Sequence, residues 1–376
     1  MLKLLIDSKI PYMRGFAERL GEVRYLSGNE ITADDVRDVD ALIIRTRTRC
    51  DRNLLEGSRV RFIATATIGF DHLDTTYLAE AGIAWTNCPG CNADSVAQYV
   101  ECALLLLSAH GWDGAVPTPP ASLPSLGTAT DAATRQQPDR TLFQGLTLGI
   151  VGVGNVGKRV EAMAQRLGFG RILRCDPPRA EKEGTSGFVS LKEIAAEADV
   201  ITFHTPLTQA PAAHPTFHLA DAAFFQSLNR CPIVLNSARG EVVDTEALKK
   251  ALATHKVRAA VIDTWENEPQ IDCELLNQVF LGTPHIAGYS ADGKANGTRM
   301  ALQAVAKFFG LDSSFCSEIQ APALPQGFAY YPEGEGHRLA PELRLYDPTR
   351  DYEALRSDPT QFESLRGNYP LRREKE

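Results

Sequence analysis

The sequence predicts an α/β protein with two doubly wound parallel-sheet domains and a small C-terminal α+β module. Short apolar runs alternate with polar helical stretches over residues 1–110, and a second series of the same kind follows over residues 141–286. Such alternation is typical of parallel sheets covered by helices on both faces. A glycine-rich turn near the start of the second series indicates a phosphate site at the end of a strand.

The apolar runs of the first series predict its strands, and the stretches Ala33–Val39 and Leu73–Ala81 between them predict helices. A longer apolar stripe at helical spacing predicts a helix over Ala93–His110. Five prolines then exclude regular structure over residues 111–140, which we interpret as a flexible insertion. The strands predicted in this series are Leu2–Ile6, Ala41–Ile44, Phe62–Ala66 and Ile83–Thr86.

The second series predicts a Rossmann-type domain over residues 141–286. A helix over Asp292–Phe309 follows, and we assign residues 287–310 to the first domain. The less apolar residues 311–376 form the C-terminal module, with helices predicted over Tyr352–Arg356 and Phe362–Arg366. The strands predicted in the second series are Leu146–Val153, Arg171–Cys175, Val200–His204, Ile233–Asn236, Ala259–Asp263 and Val279–Leu281.

Gly152, Gly154 and Gly157 stand in the spacing G-x-G-x-x-G between a predicted strand and a predicted helix. The first glycine permits a tight turn, the second lets a pyrophosphate approach the backbone, and the third lets helix and strand pack closely. Asp176 ends the next predicted strand, nineteen residues beyond Gly157. A carboxylate there accepts hydrogen bonds from the adenosine ribose and repels a 2′-phosphate, which favours NAD over NADP. Arg174 and Arg179 flank Asp176 and weaken that preference.

Composition narrows the class of protein. The chain has 376 residues, a formal net charge of −8 and eight cysteines without a disulfide framework. An acidic chain does not favour nonspecific nucleic-acid binding, and its apolar runs are too short to span a membrane. The N-terminus resembles a first strand rather than a signal peptide, and the free cysteines suit a reducing cytoplasm.

Three polar residues follow predicted strands where open α/β sheets bind their ligands. Hydride transfer between a nicotinamide and an alcohol needs a base, a partner that orients the base, and a cation for a substrate carboxylate. His285, Glu268 and Arg239 are candidates for these roles in turn. An imidazole exchanges protons near neutral pH, and a guanidinium binds a carboxylate with two donors. Taken singly, each residue also suits an ordinary structural role.

Cys88 and Cys91 form a C-x-x-C pair, but no second ligand pair follows at zinc spacing. A redox dithiol normally opens the helix of a thioredoxin-type unit, and that context is missing here. We therefore expect no metal.

The sequence resembles the D-2-hydroxyacid dehydrogenase superfamily in the segments GIVGVGNVGKRV, FHTPL, NSARGEVVD, DTWENEP and TPHIAGYS. The resemblance implies that Arg239, Glu268 and His285 are catalytic, with His285 as the proton donor or acceptor. It implies substrate contacts from Thr46, Thr67 and Tyr289, in the domain formed by residues 1–110 and 287–310. Beyond the glycine turn, it implies NAD contacts from Asn155, Val156, Asp176, Thr205, Ser237, Ala238, Asp263 and Gly288.

Within the superfamily, the segments FIATATIGFDHLD, CPGCNADSVAQYV and HIAGYSADGKANGT resemble the branch that oxidises 4-phospho-D-erythronate in pyridoxal 5′-phosphate biosynthesis. Arg45 and Arg47 flank Thr46 and suit a phosphate, although strand-end arginines exposed to solvent fit equally well. The alternatives are a member acting on phosphoglycerate or glycerate, and a non-catalytic, NAD-sensing corepressor-like protein.

Two segments depart from the pattern of the superfamily. The 111–140 insertion is longer than expected, and the C-terminal module is shortened, although NYPLRREKE matches. Because family members use this module to dimerise, the resemblance implies a homodimer, and the shortening leaves open whether this module still forms its interface.

Overall fold

The computed structural model describes residues 1–109, 140–323 and 340–374. These residues form two compact units. The first unit contains Met1–Ala93 and the segment that begins at Tyr289, and the second contains Asp94–Gly288 and the C-terminal residues. Each unit is built on its own parallel sheet.

The first sheet has five strands in the order β2-β1-β3-β4-β5, and the second has six in the order β11-β10-β9-β8-β6-β7. The order reverses between β1 and β3 in one sheet and between β6 and β8 in the other, which are the positions where doubly wound folds bind ligands. The two sheets confirm the predicted fold class. The strands are β1 (Lys3–Asp7), β2 (Glu22–Leu26), β3 (Ala41–Ile44), β4 (Phe62–Thr65), β5 (Ala84–Thr86), β6 (Thr147–Val151), β7 (Arg171–Cys175), β8 (Val200–Phe203), β9 (Ile233–Asn236), β10 (Ala259–Ile262) and β11 (Leu281–Gly282).

Helices cover both sheets, and most begin at a side-chain cap, as at Asp74, Ser190 and Asp244. The α-helices are α1 (Ala33–Val36), α2 (Arg52–Leu55), α3 (Thr75–Glu80), α4 (Ala93–Ala109), α5 (Asn155–Leu167), α6 (Pro177–Glu183), α7 (Leu191–Glu197), α8 (Ala222–Gln226), α9 (Thr245–Ala253), α10 (Cys273–Gln278), α11 (Ala291–Phe309), α12 (Pro341–Leu345), α13 (Thr349–Ser357) and α14 (Phe362–Gly367). Single 3₁₀ turns lie at Ala17–Arg19, Arg140–Gly145, Gly240–Val242, Ser314–Glu318 and Pro359–Gln361.

The central strands are buried along their whole length, as continuous apolar runs in parallel sheets require. All four residues of β3 and all five of β6 are buried. Helix α11 packs on β4, where the rings of Phe62 and Phe308 stack at 4.6 Å. Burial of each large aliphatic or aromatic side chain contributes about 1.5–3 kcal/mol, so these sheets hold the loops at their ends firmly.

The structure differs from the sequence-based assignment in three places. Strand β2 was not predicted, because Val23 and Tyr25 alternate with charged residues at the edge of the sheet. Helix α4 was assigned above to the first domain but belongs to the second unit. There the hydroxyl of Tyr99 forms a hydrogen bond with that of Thr283. An α+β module was expected over residues 311–376, of which residues 340–374 contain three helices and no named strand.

The predicted 111–140 insertion lies outside the described residues except for Arg140, which begins a 3₁₀ segment. Among the helices that the structure describes, none has the length and hydropathy needed to cross a bilayer.

Candidate active site

His285 and Glu268 form a close imidazole–carboxylate pair in the second unit. The Nδ1 atom of His285 lies 2.8 Å from Oε2 and 3.1 Å from Oε1 of Glu268. The Trp265 backbone N–H donates to Oε1 of the same carboxylate at 2.9 Å. Burial by itself would raise the pKa of Glu268, but the charge and hydrogen bond of His285, the Trp265 N–H and Arg366 together lower it. The carboxylate is therefore ionised at neutral pH, and Nε2 is the imidazole nitrogen of His285 that does not face it.

The loop that carries His285 is held by a buried carboxylate. Asp263, 1% exposed at the end of β10, accepts hydrogen bonds from Thr283 Oγ1 at 2.7 Å, from Ile286 N at 2.8 Å and from Ala287 N at 3.0 Å. Burial raises the pKa of Asp263, and His285 with these three donors offsets part of the rise. His285 itself has a backbone φ of +56°, a left-handed conformation that costs free energy for a residue with a side chain.

Arg239 lies in the turn after β9. The side chain of Asn236 closes this turn, because its Nδ2 donates to Arg239 O at 2.9 Å and its Oδ1 accepts from Ala238 N at 3.1 Å. Arg239 is half-buried, and its Nη1 donates to Ala238 O at 2.7 Å. A guanidinium has five donors in a planar fork, a geometry that matches a carboxylate.

The glycine-rich turn lies between β6 and α5, at the reversal of strand order. Gly152 has a φ of +88°, and a Cβ atom there would lie 2.8 Å from the His204 carbonyl. A Cβ on Gly157 would clash with the Gly152 carbonyl, whereas a Cβ on Gly154 would meet no atom within 4 Å. The first and third glycines are thus required by packing, and the second leaves open space where α5 begins.

Asp176 follows β7 and points back to the glycine-rich turn. Its Oδ2 accepts a hydrogen bond from Val153 N at 2.8 Å, and its Oδ1 caps α6 by accepting from Arg179 N at 3.1 Å. The two flanking arginines bind other carboxylates, Arg174 pairing with Glu161 at 3.3 Å and Arg179 with Glu183 at 2.6 Å. These ion pairs reduce the positive charge that Arg174 and Arg179 offer to a 2′-phosphate.

In the first unit, the candidate phosphate residues follow β3 at the reversal of strand order. Arg45 Nε lies 2.9 Å from Oδ2 of Asp7, whose carboxylate is fully buried. An unpaired charge at that depth is costly, so Arg45 has a structural role and is less available to a ligand than predicted. Thr46 and Arg47 are exposed at the same edge of the sheet.

Thr67 and Tyr289 also lie in the first unit. The Thr67 hydroxyl is 2.7 Å from that of Thr65 and donates to the Gly69 carbonyl at 2.9 Å. Tyr289 precedes α11 and carries the Lys294 ammonium 3.9 Å from the centre of its ring. Both side chains are half-buried, so each keeps some access to solvent.

Residues 127–287 match the family model described as D-isomer specific 2-hydroxyacid dehydrogenase, NAD binding domain. The chain is 48% identical over 377 residues to an erythronate-4-phosphate dehydrogenase of Bacteroides fragilis, which covers 99% of this chain and 97% of the relative. An enzyme of the same name from Porphyromonas gingivalis is 37% identical over 99% of this chain and 94% of its own. The chain belongs to the erythronate-4-phosphate dehydrogenase family.

Solved structures extend the likeness beyond this family. The TT0316 protein of Thermus thermophilus superposes with a TM-score of 0.61 at 29% identity, over 83% of this chain and 99% of its own. D-lactate dehydrogenase of Aquifex aeolicus, complexed with NAD and lactic acid, gives a TM-score of 0.62 at 24% identity, over 86% and 99%. The erythronate-4-phosphate dehydrogenase family thus shares its fold with enzymes of other substrates.

The second unit fits the NAD that the matching NAD-binding-domain model implies. Within the part of the chain that the structure describes, the buried hydroxyls of Thr205 and Ser237 have no hydrogen-bond partner. Buried polar atoms are rarely left so, and a bound ligand is one way to satisfy them. Both residues follow strands of the nucleotide-binding sheet, Thr205 after β8 and Ser237 after β9.

The remaining residues predicted to bind the cofactor occupy the same unit. Asn155 and Val156 form the first turn of α5, where free N–H groups attract phosphate. Ala238 is buried beside Ser237, and Gly288 is half-buried at the end of the His285 loop. The structure gives Asp263 a second role, because both of its oxygens already accept bonds from the chain.

Three residues that contact the site were not singled out in the sequence. Trp265 closes the Glu268 turn through its backbone and also donates from Nε1 to Thr283 O at 2.9 Å. Arg366 Nη1 lies 3.5 Å from Glu268 Oε2, and Arg372 contacts the carbonyls of the His285 loop. Arg372 lies in NYPLRREKE, and Arg366 lies just before it. The resemblance assigned this segment no role in the active site.

Replacing Asp176 with alanine is expected to weaken NAD binding about tenfold or more and to reduce discrimination against NADP, because a charged hydrogen bond to the ribose is lost. Fluorescence titration with both nucleotides measures the effect. Asp176→Asn is the control, since asparagine caps helices as well as aspartate does and α6 should stay intact. Unchanged affinity of the alanine variant for both nucleotides would remove Asp176 from the cofactor site.

Proposed function

We propose that this chain oxidises the C2 hydroxyl of 4-phospho-D-erythronate with NAD, producing (R)-3-hydroxy-2-oxo-4-phosphobutanoate for pyridoxal 5′-phosphate biosynthesis. The observation that carries the proposal is the His285–Glu268 pair, a base and its orienting carboxylate, in the unit that holds the glycine-rich turn. The name of the Bacteroides fragilis relative supports the choice of substrate. When bound, NAD supplies the hydride acceptor.

His285 receives the hydroxyl proton at Nε2, because Nδ1 is occupied by Glu268. The positive charge that then develops on the imidazole is stabilised by the ionised Glu268 at 2.8 Å. Glu268 therefore performs two tasks, since it fixes the ring orientation and favours the protonated form that the reaction creates. In the reverse direction the same imidazolium returns the proton.

Arg239 binds the substrate carboxylate in this proposal. Its guanidinium offers paired donors, and the Asn236 side chain fixes the turn that presents it. The phosphate at the other end of the substrate is assigned to the first unit, to Thr46 and Arg47, with further contacts from Thr67 and Tyr289. Arg45 contributes by neutralising Asp7, which would otherwise repel the dianion.

An NADH-formation screen against a panel of 2-hydroxy acids tests the proposal. We expect 4-phospho-D-erythronate to be turned over with the highest kcat/KM, ahead of 3-phosphoglycerate, glycerate and unphosphorylated erythronate. Preference for phosphoglycerate or glycerate would assign the chain to another member of the superfamily. Absence of turnover with every acid, with NAD still bound, would favour the corepressor-like alternative.

Replacing Arg47 with alanine is expected to raise KM for the phosphorylated substrate roughly ten- to a hundredfold, because a charge-assisted hydrogen bond to the phosphate is lost. The affinity for NAD should not change. Steady-state kinetics with phosphorylated and plain erythronate separates the phosphate contact from a general effect.

Arg49→Ala is the matched control, since this exposed arginine two residues away pairs with Asp51 at 3.2 Å. It should leave KM near the wild-type value. Arg45→Ala should instead lower stability, because it leaves the buried Asp7 without its ion pair. If Arg47→Ala impairs both substrates equally, the phosphate is bound elsewhere.

We further propose that the protein is a cytoplasmic homodimer, an expectation that rests on the family resemblance. Light scattering coupled to size-exclusion chromatography measures the mass of the assembly. A single 41.1 kDa species across micromolar concentrations would argue against the dimer.

A further inference from the structure

The last described residues of the chain reach the loop that carries His285. Arg372 is 5% exposed, and its Nη1 and Nη2 donate to the carbonyls of Ile286 at 3.0 Å and Ala287 at 2.5 Å. These are the two residues that follow His285. Arg372 therefore donates hydrogen bonds to the carbonyls of the same two residues whose N–H groups donate to Asp263.

Arg372 is itself fixed from several directions. Its Nε donates to Gln98 Oε1 at 2.9 Å and its Nη2 to Ser95 O at 3.2 Å, both on α4. The guanidinium lies 3.9 Å from the centre of the Tyr346 ring. A buried guanidinium with its donors satisfied is pre-organised, and the fork geometry that reaches two adjacent carbonyls is specific to arginine.

A buried acidic group completes this cluster. Asp351 on α13 accepts hydrogen bonds from Tyr346 Oη at 3.0 Å and from Tyr369 Oη at 3.1 Å. Burial raises the pKa of Asp351 to about 7, with Arg372 and the two tyrosines opposing the rise. The charge of Asp351 interacts with the buried guanidinium of Arg372, and the Tyr369 bond joins α13 to the segment that ends at Glu374.

A second arginine of the same segment reaches the carboxylate of the proton-transfer pair. Arg366, on α14, places Nη1 3.5 Å from Oε2 of Glu268, the oxygen that also faces Nδ1 of His285. The side chains of both Arg366 and Glu268 are less than one-fifth exposed, at 19% and 17%, so solvent screens their interaction only partly. The negative charge of Glu268 therefore interacts both with the imidazole of His285 and with the permanent cation of Arg366.

We propose that the C-terminal segment, residues 362–374, is a positioning element of the proton-transfer site, in which Arg372 fixes the His285 loop and Arg366 sets how strongly Glu268 favours the imidazolium. The inference rests on the proposed function of His285 as the base. It gives this segment a role inside its own unit that is separate from dimerisation.

Substitutions on either side of the shared carboxylate should have opposite effects. In the described part of this unit, His285 interacts with the charges of Glu268 and Asp263, and Glu268 interacts with the charges of His285 and Arg366. Removing Arg366 leaves more of the Glu268 charge for the imidazolium and removes a repulsive cation. Removing the negative charge of Glu268 instead makes the imidazolium less favourable.

The pH at which kcat is half-maximal on its acid side should therefore rise by about half to one pH unit in Arg366→Gln and fall by a similar amount in Glu268→Gln. Arg366→Lys should restore the wild-type profile, because it keeps the charge. A variant that only loosens the fold would not move the two profiles in opposite directions.

The ring of His285 can be followed without any substrate by NMR, its signal among the eight histidines being assigned by its loss in His285→Ala. Opposite displacements of the ring titration in Arg366→Gln and Glu268→Gln support the inference even if the panel of acids points to another substrate. Identical titrations in wild type and Arg366→Gln overturn it even if phosphoerythronate is turned over.

Arg372→Lys tests the other contact, since lysine keeps the charge but cannot reach both carbonyls with one planar fork. We expect kcat to fall about tenfold, with KM and NAD affinity near wild type, because the loop moves and the binding surfaces do not. Arg356→Lys, on α13, is the matched control and should leave kcat unchanged. An equal loss of kcat in both variants, or an Arg372→Lys enzyme as active as wild type, would exclude the positioning role of Arg372. If Arg372→Lys does not fold, the ring titration of Arg366→Gln decides the proposal.

Discussion

Replacing His285 with alanine is expected to lower kcat for the phosphorylated acid by about a hundredfold to ten-thousandfold, the range over which a general base contributes. The imidazole is the only group facing Glu268 that can exchange a proton near neutral pH within the described residues, since Arg366 stays charged. NAD binding should persist, because the substitution alters none of the residues of the glycine-rich turn. Single-turnover kinetics with a nucleotide titration measures both quantities.

The chain contains a matched control for this variant. His218 also pairs with a glutamate, its Nε2 lying 2.7 Å from Oε1 of Glu266, and its side chain is 31% exposed against 25% for His285. His218 likewise has a left-handed backbone, with φ of +49°. His218→Ala should keep kcat close to the wild-type value. If both variants lose activity to the same extent, His285 has no special role in proton transfer.

Replacing Asp263 with alanine is expected to lower the free energy of unfolding by about 3 kcal/mol or more, because each buried donor left without an acceptor costs about 1–3 kcal/mol. Three donors lose their acceptor at once, from Thr283, Ile286 and Ala287. Urea unfolding, with the m-value checked for constancy, measures the loss. Activity should fall as well, since the same bonds hold the His285 loop.

Asp263→Asn separates the two effects of that change. The amide keeps one oxygen for Thr283 and Ile286 but turns a donor towards Ala287 N, so its loss of stability should be smaller than that of alanine. An alanine variant as stable as wild type would contradict the assignment of Asp263 as the holder of this loop.

The strands and the nucleotide site could be predicted from sequence because their signals are local. The predicted bounds of β3, β7 and β9 coincide with those observed, since each strand is a short apolar run between polar segments. The glycine-rich turn follows from the spacing of its glycines together with the strand before it and the helix after it. The pairing of His285 with Glu268 was predicted from chemistry, as complementary groups following strands of one sheet, and the 2.8 Å contact agrees with it.

The contacts that were missed join residues far apart in the chain. Arg45 was considered as a hydrogen-bond donor to the substrate phosphate. Nothing near it in sequence indicates that Asp7 is buried beside it. Arg366 and Arg372 were not singled out, because a buried arginine has no periodic pattern of its own. Edge strand β2 was missed for a related reason, since its charged residues hide a short apolar alternation. Such features depend on tertiary packing, which local patterns do not encode.

The left-handed backbone of His285 costs free energy, and this cost arises when the chain folds. His285 keeps a φ of +56° because buried partners bind the backbone around it. They bind its own N–H, the two N–H groups that follow, and the carbonyls of Ile286 and Ala287. That cost, on the order of 1–3 kcal/mol, is met once when the chain folds. With His285 as the proposed base, the orientation of its imidazole is thus set by the folded loop before substrate arrives.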